Sequence, residues 1–124
     1  MIEIDGSYRE GGGQMLRMSI ALSAITKKPV KVVNIRAKRP NPGLASQHIA
    51  AVDAIVRLCS GEVKGLSKGS QTVEFYPSEI LGGSVALDVG TAGSVTLVLQ
   101  ASLLPSLSAS NPVNMGIRGG TDVR

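Results

Sequence analysis

The sequence predicts an α/β protein of the α+β type, built from a repeated βαβαββ unit of which one copy is complete and a second is half present. Segments rich in β-branched residues alternate with segments whose apolar residues follow helical spacing, and glycine-rich loops separate them. Similar landmarks return about 83 residues apart, which indicates an internal repeat. We therefore place the first unit in residues 1–80 and the first half of a second, truncated unit in residues 81–124.

The opening of the chain predicts a strand, a glycine loop and a helix. Met1 to Asp5 alternate as a strand does, and the run Gly11-Gly12-Gly13 then interrupts the chain. Apolar residues recur at helical spacing after it, at Met15, Met18, Leu22 and Ile25. A glycine loop between a strand and a helix lets main-chain N–H groups approach a phosphate, although neither the dinucleotide fingerprint nor the P-loop is present.

The next segment predicts a second strand and a second helix. Val30 to Ile35 is rich in β-branched residues, and the prolines between Arg39 and Gly43 end that strand. A helix is predicted from Leu44 to Cys59, with Asp53 and Arg57 forming an exposed pair. Its predicted buried face consists of Ala45, Ile49, Val52, Val56 and Cys59.

Two short strands, Glu62 to Leu66 and Thr72 to Tyr76, complete the first unit as a hairpin that turns at Ser67 to Ser70. The pattern then starts again with a strand at Val85 to Val89, a loop at Gly90 to Ser94, a helix at Val95 to Leu107 and a strand at Val113 to Ile117. A copy that stops there lacks a helix and two strands that would cover its apolar faces. We therefore expect the sequence to be truncated.

The composition favours a folded domain with an anionic partner. The chain is 43% hydrophobic and 18% charged, which argues against disorder, and its formal net charge is +4. Basic residues with no acid among them lie between Lys27 and Arg39, a density that suits either an anion or a solvated strand edge. The single cysteine, Cys59, offers neither a disulfide nor a thiolate metal site. We find no signal peptide or membrane span and expect a cytoplasmic protein.

Polar residues stand near both glycine loops, where helix packing would favour apolar ones. Gln14 and Arg17 lie one turn apart, and Glu10 precedes their helix, where a carboxylate can hold Mg²⁺. Gln100 interrupts the apolar third helix, where an unpaired buried amide would cost about 1–3 kcal/mol. For Gln100 the alternatives are a ligand contact and a hydrogen bond to main chain.

A second group of polar residues flanks the proline-rich loop. Arg36 and Arg39 precede it, and Gln47 and His48 lie in the first turn of the second helix, so the four can converge on one anion. His48 is the only histidine, so a mechanism that needs a histidine nucleophile uses it or one outside this chain. We favour a nucleophile outside the chain, with His48 as a structural or substrate-positioning residue.

The string from Asp5-Gly6 through Glu10-Gly11-Gly12-Gly13-Gln14 to Leu16-Arg17 resembles the opening of RNA 3′-terminal phosphate cyclases. Further strings follow in that family's order: Ile35-Arg36-Ala37-Lys38-Arg39, Pro42-Gly43-Leu44, Gln47-His48, Gly90 to Ser94 with Leu97 to Gln100, and Arg118-Gly119-Gly120-Thr121-Asp122. The resemblance implies βαβαββ units like those of the C-terminal domain of translation initiation factor three. It also implies a longer protein, whose inserted domain and later repeats are absent here.

The resemblance implies an ATP-dependent reaction at RNA ends. In this family ATP adenylylates an enzyme histidine, AMP passes to the RNA 3′-phosphate, and the neighbouring 2′-hydroxyl attacks to give a 2′,3′-cyclic phosphate. The family's catalytic histidine lies near its C-terminus, beyond Arg124, so we expect no nucleophile in this chain and no activity from it alone. The expected partners are RNA 3′-phosphate ends, ATP, Mg²⁺ or Mn²⁺ and the missing C-terminal part of the same protein, with oligomerisation left open and no membrane contact.

The resemblance also assigns residues. Gln100 matches the family's ATP-contacting glutamine, and Glu10 matches its metal-binding glutamate. The expected triphosphate- or RNA-binding set is Gln14, Arg17, Arg36, Arg39, Gln47 and His48, with no division of roles among its arginines. Lys38 departs from the family's usual glycine, and Ser46 from its frequent arginine or proline, which affects the shape and charge of the loop.

Two other interpretations remain open. The family has a non-catalytic branch that serves ribosome assembly through RNA and protein contacts, and enolpyruvyl transferases share the repeat architecture and bind phosphorylated anions. The presence of Glu10, Arg39 and Gln100 favours the catalytic branch. The strings around Gln14 and Arg36 favour a cyclase over a transferase.

Overall fold

The computed structural model describes residues 1–7, 13–80, 83–90 and 92–119. Helices and strands follow one another in the order β1 (Ile2–Asp5), α1 (Gly13–Thr26), β2 (Val30–Val33), α2 (Ser46–Cys59), β3 (Glu62–Lys64), β4 (Val73–Tyr76), β5 (Gly83–Gly90), α3 (Ala92–Leu107) and β6 (Val113–Gly119). The predicted mixed α+β class is confirmed. The division into repeats at residue 80 stays a prediction.

The first four strands form one sheet in the order β1-β2-β4-β3. β1 and β2 pair in parallel through the crossover helix α1, whereas β4 pairs antiparallel with both β2 and β3. β3 and β4 form the predicted hairpin, and Ser70 donates its main-chain N–H to the carbonyl of Ser67 at 3.0 Å within the turn. The carboxyl ends of β1 and β2 therefore lie side by side, and each strand leads into a segment that carries predicted site residues.

One face of this sheet forms the main core with α1 and α2. Val30 and Val32 alternate with the less buried Lys31 and Val33, and buried Val73 and Phe75 lie opposite them on β4. This period of two is what places every second side chain of a strand on the covered face. The core residues of α1 include Leu16, Ile20 and Ala24, which are not the apolar residues that predicted the helix.

The helix α2 is buried on a wider face than its sequence predicts. Val52 and Cys59 are buried as predicted, but Ala45, Ile49 and Val56 are only half-buried. The additional buried residues are His48, Ala51, Ala54, Ile55 and Leu58. The reason is α3, which packs along α2 and covers a second side of it. The predicted pair is confirmed, with Arg57 Nε donating to Asp53 Oδ2 at 3.0 Å on the exposed side.

The segment from β5 to β6 forms a second small unit of structure. β5 and β6 pair in parallel as a two-stranded sheet, with α3 as their crossover. A minor core joins it to α2, where buried Ala54 and Val98 contact half-buried Val85 and Met115. α3 also carries exposed leucines at positions 99, 103, 104 and 107. Among the helices within the described ranges, none is long and apolar enough to cross a membrane.

The loop after β2 is fixed to the β3–β4 turn by main-chain hydrogen bonds. Ile35 N–H donates to the carbonyl of Gln71 at 2.9 Å, Leu44 N–H to that of Ser70 at 2.9 Å, and Gly69 N–H to that of Leu44 at 2.8 Å. Gly43, at φ 87°, lies so close to Gly69 that a Cβ at residue 43 would overlap the Gly69 carbonyl. The loop that contains Arg36 and Arg39 and leads into α2 is thus a fixed part of the fold.

Replacing Gly43 by alanine should destabilise the protein more than the same change at Gly69. Both glycines have positive φ, which costs a residue with a Cβ about 1–2 kcal/mol, but only residue 43 adds a main-chain overlap. We expect Gly69→Ala to lower the free energy of unfolding by about 1 kcal/mol and Gly43→Ala by about 3 kcal/mol or more. Urea unfolding measures both, and equal losses would contradict the close packing of the loop.

Candidate functional site

A cleft of about 380 Å³ lies between α1 and α3. Its lining residues are Gln14, Arg17, Met18, Ala21, Leu22, Gln100, Ala101 and Leu104. On α1 the polar residues come first and the apolar ones follow about a turn later, so the cleft has both a polar and an apolar lining. Three of the residues predicted for the site from separate parts of the sequence, Gln14, Arg17 and Gln100, therefore share one cavity.

Arg17 is half-buried and has no carboxylate partner within the described part of the chain. The two ion pairs found there join Lys27 to Glu79 and Arg57 to Asp53. Burial lowers the pKa of the Arg17 guanidinium, yet an arginine remains charged at neutral pH. A partly desolvated cation that no described acid neutralises is suited to bind an anion.

His48 joins the first turn of α2 to the first turn of α1. His48 is 4% exposed, and its Nδ1 accepts a hydrogen bond from the main-chain N–H of Ala45 at 3.1 Å, which caps α2. The Nε2 edge lies against Gly13, the first residue of α1, so closely that a Cβ at residue 13 would overlap the ring. A Cβ there would also lie 2.9 Å from Nη1 of Arg17. Glycine at residue 13 thus leaves room for the ring where the N-termini of α1 and α2 lie beside each other.

The pKa of His48 is lowered to about 4, first by burial and then by the positive charges of Arg36 and Arg17. Arg17 lies beside the ring at the start of α1, where its Nη1 and the ring both border Gly13, and the charge of Arg36 also acts on the ring. His48 is consequently uncharged at neutral pH. We call the region around His48, Arg17 and Arg36 the arginine corner. Since His48 is neutral, the positive charge there comes from the two arginines.

Arg36 uses part of its guanidinium to hold the proline-rich loop. Its Nη1 donates to the carbonyl of Gly43 at 2.8 Å and to that of Asn41 at 3.0 Å. Arg36 itself has a positive φ of 51°, a conformation that costs a residue with a Cβ free energy and needs such contacts to persist. Arg36 therefore shapes the loop as well as contributing charge.

Arg39 and Gln47 are exposed, and neither lines the cleft between α1 and α3. Arg39 is attached to the loop through its main-chain N–H, which donates to the carbonyl of Arg36 at 3.0 Å, and no described side chain pairs with its guanidinium. Gln47 lies in the first turn of α2 next to His48. Arg39 and Gln47 thus adjoin Arg36 and His48 along the chain and are exposed to solvent.

The basic stretch of the sequence is divided by the fold. Lys27 and Lys28 precede β2, whereas Arg36, Lys38 and Arg39 follow it, so the two groups lie at opposite ends of that strand. Lys27 contacts Glu79 at 3.3 Å. Only the second group is beside the candidate site, and the stretch is not one continuous anion-binding surface.

Two predicted parts of the site lie outside the described residues or side chains. Glu10, the predicted metal ligand, and the first residues of the glycine loop belong to the segment 8–12. The side chains of the second glycine loop, 90–94, are likewise not described. Within the ranges that are described, no group of three His, Cys, Asp or Glu residues could hold a metal ion. The metal site at Glu10 stays a prediction.

Sequence reasoning missed two contributors to this site. Met18 and Leu22 predicted a helix, and in the structure they are about half exposed and form the apolar lining of the cleft. Gly13 was assigned only to the glycine loop, whereas it contacts His48 where the two helices lie beside each other. A single sequence holds no signal for this contact, because it joins residues that are brought together only by the packing of α1 against α2.

Comparison with known proteins supplies the family. The family model described as RNA 3′-terminal phosphate cyclase matches residues 8–124. The chain belongs to this family. Among curated proteins named RNA 3′-terminal phosphate cyclase, that of Pyrococcus furiosus is 58% identical over 123 residues, that of Nitrosospira multiformis 56% over 124, and that of Methanopyrus kandleri 53% over 124.

These alignments include 99–100% of this chain but only 35–36% of each relative. The chain thus spans about a third of the length of the cyclases it matches. The cleft and the arginine corner both lie within the matched segment.

Replacing Arg36 by alanine should destabilise the loop, whereas the same change at Arg39 should not. Arg36→Ala removes the donor for two main-chain carbonyls, and we expect the free energy of unfolding to fall by about 1 kcal/mol. Arg39→Ala should change it by less than about 0.5 kcal/mol, as at other exposed sites. Urea unfolding gives both values, and hydrogen exchange at the Gly43 and Leu44 amides should accelerate in the first variant only. Unchanged hydrogen exchange in Arg36→Ala would contradict the role of Arg36 in holding the loop.

Proposed function

We propose that this segment forms the phosphate- and nucleotide-binding part of an RNA 3′-terminal phosphate cyclase, which converts an RNA 3′-phosphate to a 2′,3′-cyclic phosphodiester with ATP. The observation that carries the proposal is the convergence of Arg17, Arg36 and the N-termini of α1 and α2 beside a cleft of mixed polarity. Family membership and the names of the relatives support it. The activity belongs to the whole protein, of which the chain corresponds to about a third.

The cleft between α1 and α3 is suited to a nucleotide. Its volume of about 380 Å³ falls within the usual range of small-molecule sites. Met18, Leu22 and Leu104 offer apolar surface for a base, and the amides of Gln14 and Gln100 offer both donors and acceptors. We assign Gln100 to ATP, because the family resemblance matches it to an ATP-contacting glutamine.

The arginine corner is suited to the phosphate groups. Arg17 belongs both to the cleft and to the corner, so a nucleotide in the cleft would direct its phosphates toward Arg36 and the helix N-termini. Unused main-chain N–H groups at a helix start and arginine forks both favour phosphate. Arg39 and Gln47, which are both exposed, are assigned to the RNA terminal phosphate.

The residues described here bind and orient, and the nucleophile is assigned to another part of the protein. Nδ1 of His48 already accepts the Ala45 N–H, and a neutral ring then carries its proton on Nε2, so neither nitrogen offers a free lone pair for attack. Mg²⁺ or Mn²⁺, held by Glu10, would neutralise charge on the triphosphate. AMP transfer activates the 3′-phosphate for attack by the 2′-hydroxyl, with AMP as the leaving group.

The activity is tested with the full-length protein. Incubation with ATP labelled in its α-phosphate and with an RNA that ends in a 3′-phosphate should label the enzyme with AMP and yield a cyclic end, and an RNA with a 3′-hydroxyl should remain unchanged. Absence of both enzyme-bound AMP and cyclic product in the presence of Mg²⁺ or Mn²⁺ would contradict the cyclase assignment. RNA binding that persists without AMP transfer would favour the non-catalytic branch.

Within the full-length enzyme, Arg39→Ala should reduce cyclisation more than Lys38→Ala. An arginine fork fixes a phosphate by two directed hydrogen bonds, whereas an exposed ammonium contributes charge. We expect a loss of about tenfold to a hundredfold in kcat/KM for Arg39→Ala, equivalent to one or two strong hydrogen bonds, and less than about threefold for Lys38→Ala. The neighbouring lysine is the matched control for lost charge. Equal losses would show that both residues act through net charge.

A further inference from the structure

The turn between β3 and β4 lies beside the arginine corner. Leu44 N–H donates to the carbonyl of Ser70 at 2.9 Å, and Gly69 N–H donates to the carbonyl of Leu44 at 2.8 Å. Gly43 packs against the main chain of Gly69, and its own carbonyl accepts a hydrogen bond from Nη1 of Arg36 at 2.8 Å. The turn and the loop that carries Arg36 are therefore neighbours in a fixed arrangement.

Lys68 lies in this turn, is exposed, and belongs to none of the groups assigned above. The turn is held by its own hydrogen bonds, from Ser67 N–H to the Gly65 carbonyl at 2.9 Å and from Ser70 Oγ to the Thr72 carbonyl at 2.9 Å. In the described part of the chain no carboxylate forms an ion pair with Lys68. Its ammonium group is thus carried by a fixed main chain, and its charge is available to a partner.

The loop and the turn together present charge of one sign. Residues 34–48 and 65–72 contain four basic residues and no acidic one. The four are Arg36, Lys38, Arg39 and Lys68, and we call the surface formed by these two segments the loop–turn surface. Several positive charges on a fixed main chain suit a partner that carries many negative charges, such as a nucleic acid backbone.

The strand order gives the direction in which the positive charge continues. β2 lies between β1 and β4, so the loop after β2 has the end of β1 on one side and the β3–β4 turn on the other. Asp5 ends β1, and the pKa of its carboxyl is lowered by hydrogen bonds from Ser7 and, to a smaller extent, by the charge of Lys38. Asp5 is therefore negative at neutral pH. A polyanion is disfavoured on the Asp5 side and favoured on the Lys68 side.

We propose that RNA leaves the arginine corner across the β3–β4 turn, where Lys68 contacts phosphates of the RNA backbone upstream of the 3′-terminal phosphate. The proposal rests on the proposed function, which puts the terminal phosphate at the arginine corner. A lysine ammonium attracts phosphate as a point charge, whereas arginine forks recognise it in one orientation. Lys68 thus adds affinity for RNA of any sequence, and selection of the end stays with the arginines.

RNA binding to the full-length protein tests the proposal, in the absence of ATP so that no cyclisation takes place. Loss of one phosphate contact to a single strand reduces the magnitude of the slope of log K against log salt concentration by about 0.7. We expect this reduction in Lys68→Ala with a 3′-phosphorylated RNA of about eight nucleotides, and a loss of about threefold to fivefold in affinity at low salt. Lys68→Arg should retain both values. A nucleoside 3′-monophosphate, which has no upstream backbone, should bind Lys68→Ala and the wild type equally.

Lys28→Ala is the matched control, because Lys28 is an exposed lysine at the opposite end of β2. It removes the same net charge and should change neither the slope nor the affinity. Equal effects of Lys28→Ala and Lys68→Ala would show that RNA responds only to net charge. A slope unchanged in Lys68→Ala would leave an acidic protein as the partner of the loop–turn surface, and weaker monophosphate binding would put Lys68 at the terminal phosphate. Each of these three results would overturn the proposal.

Failure of this inference is distinguishable from failure of the proposed function. If the wild type bound RNA with a 3′-phosphate no more tightly than the same RNA with a 3′-hydroxyl, recognition of the terminal phosphate would be contradicted. If the wild type discriminated between the two ends and Lys68→Ala kept the full salt dependence, only the path of the RNA would fail. Because Lys68 is assigned to the upstream backbone, the ratio of the affinities for the two ends should be the same in Lys68→Ala and in the wild type.

Discussion

The approach of the His48 ring to Gly13 is the contact on which the candidate site depends. It lies where the N-terminal ends of α1 and α2 are beside each other, and it exists because residue 13 has no side chain and because the Ala45 N–H holds the ring in one orientation. Helix N-termini expose main-chain donors, so their juxtaposition favours negative charge at this place before any side chain contributes. Arg17 and Arg36 then add their charges to this location.

The distribution of hydrogen bonds separates residues that build the site from residues that are available to a ligand. Arg36 donates to two loop carbonyls, and the loop is itself bonded to the β3–β4 turn, so this arginine is part of a fixed structure. Arg17 is half-buried without a described counter-ion, and Arg39 is exposed. A half-buried cation without a partner contributes little to folding stability. Under the proposed function, a phosphate ligand supplies the opposite charge.

Much of the fold could be predicted from the sequence because its signals are local. The β-branched residues of β2, the helical spacing in α1 and the Asp53–Arg57 spacing are local features, and the strand, the helix and the ion pair that they predict are all present. The wide buried face of α2 was not predictable, since it depends on where α3 packs. For the site, Gln14, Arg17 and Gln100 were selected as polar residues in apolar helices, and the cleft joins them. The loop-bracing role of Arg36 and the contact of Gly13 arise from tertiary packing, which no local pattern records.

The central contact is tested most directly by the free energy of unfolding of Gly13→Ala, measured in the wild-type and His48→Ala backgrounds. At an unconstrained helical position this change stabilises a protein by up to about 1 kcal/mol. Here the added Cβ would overlap the held His48 ring, so we predict a loss of about 1–3 kcal/mol in the wild-type background. In the His48→Ala background the loss should disappear. A neutral or stabilising effect of Gly13→Ala in the wild type would contradict the contact.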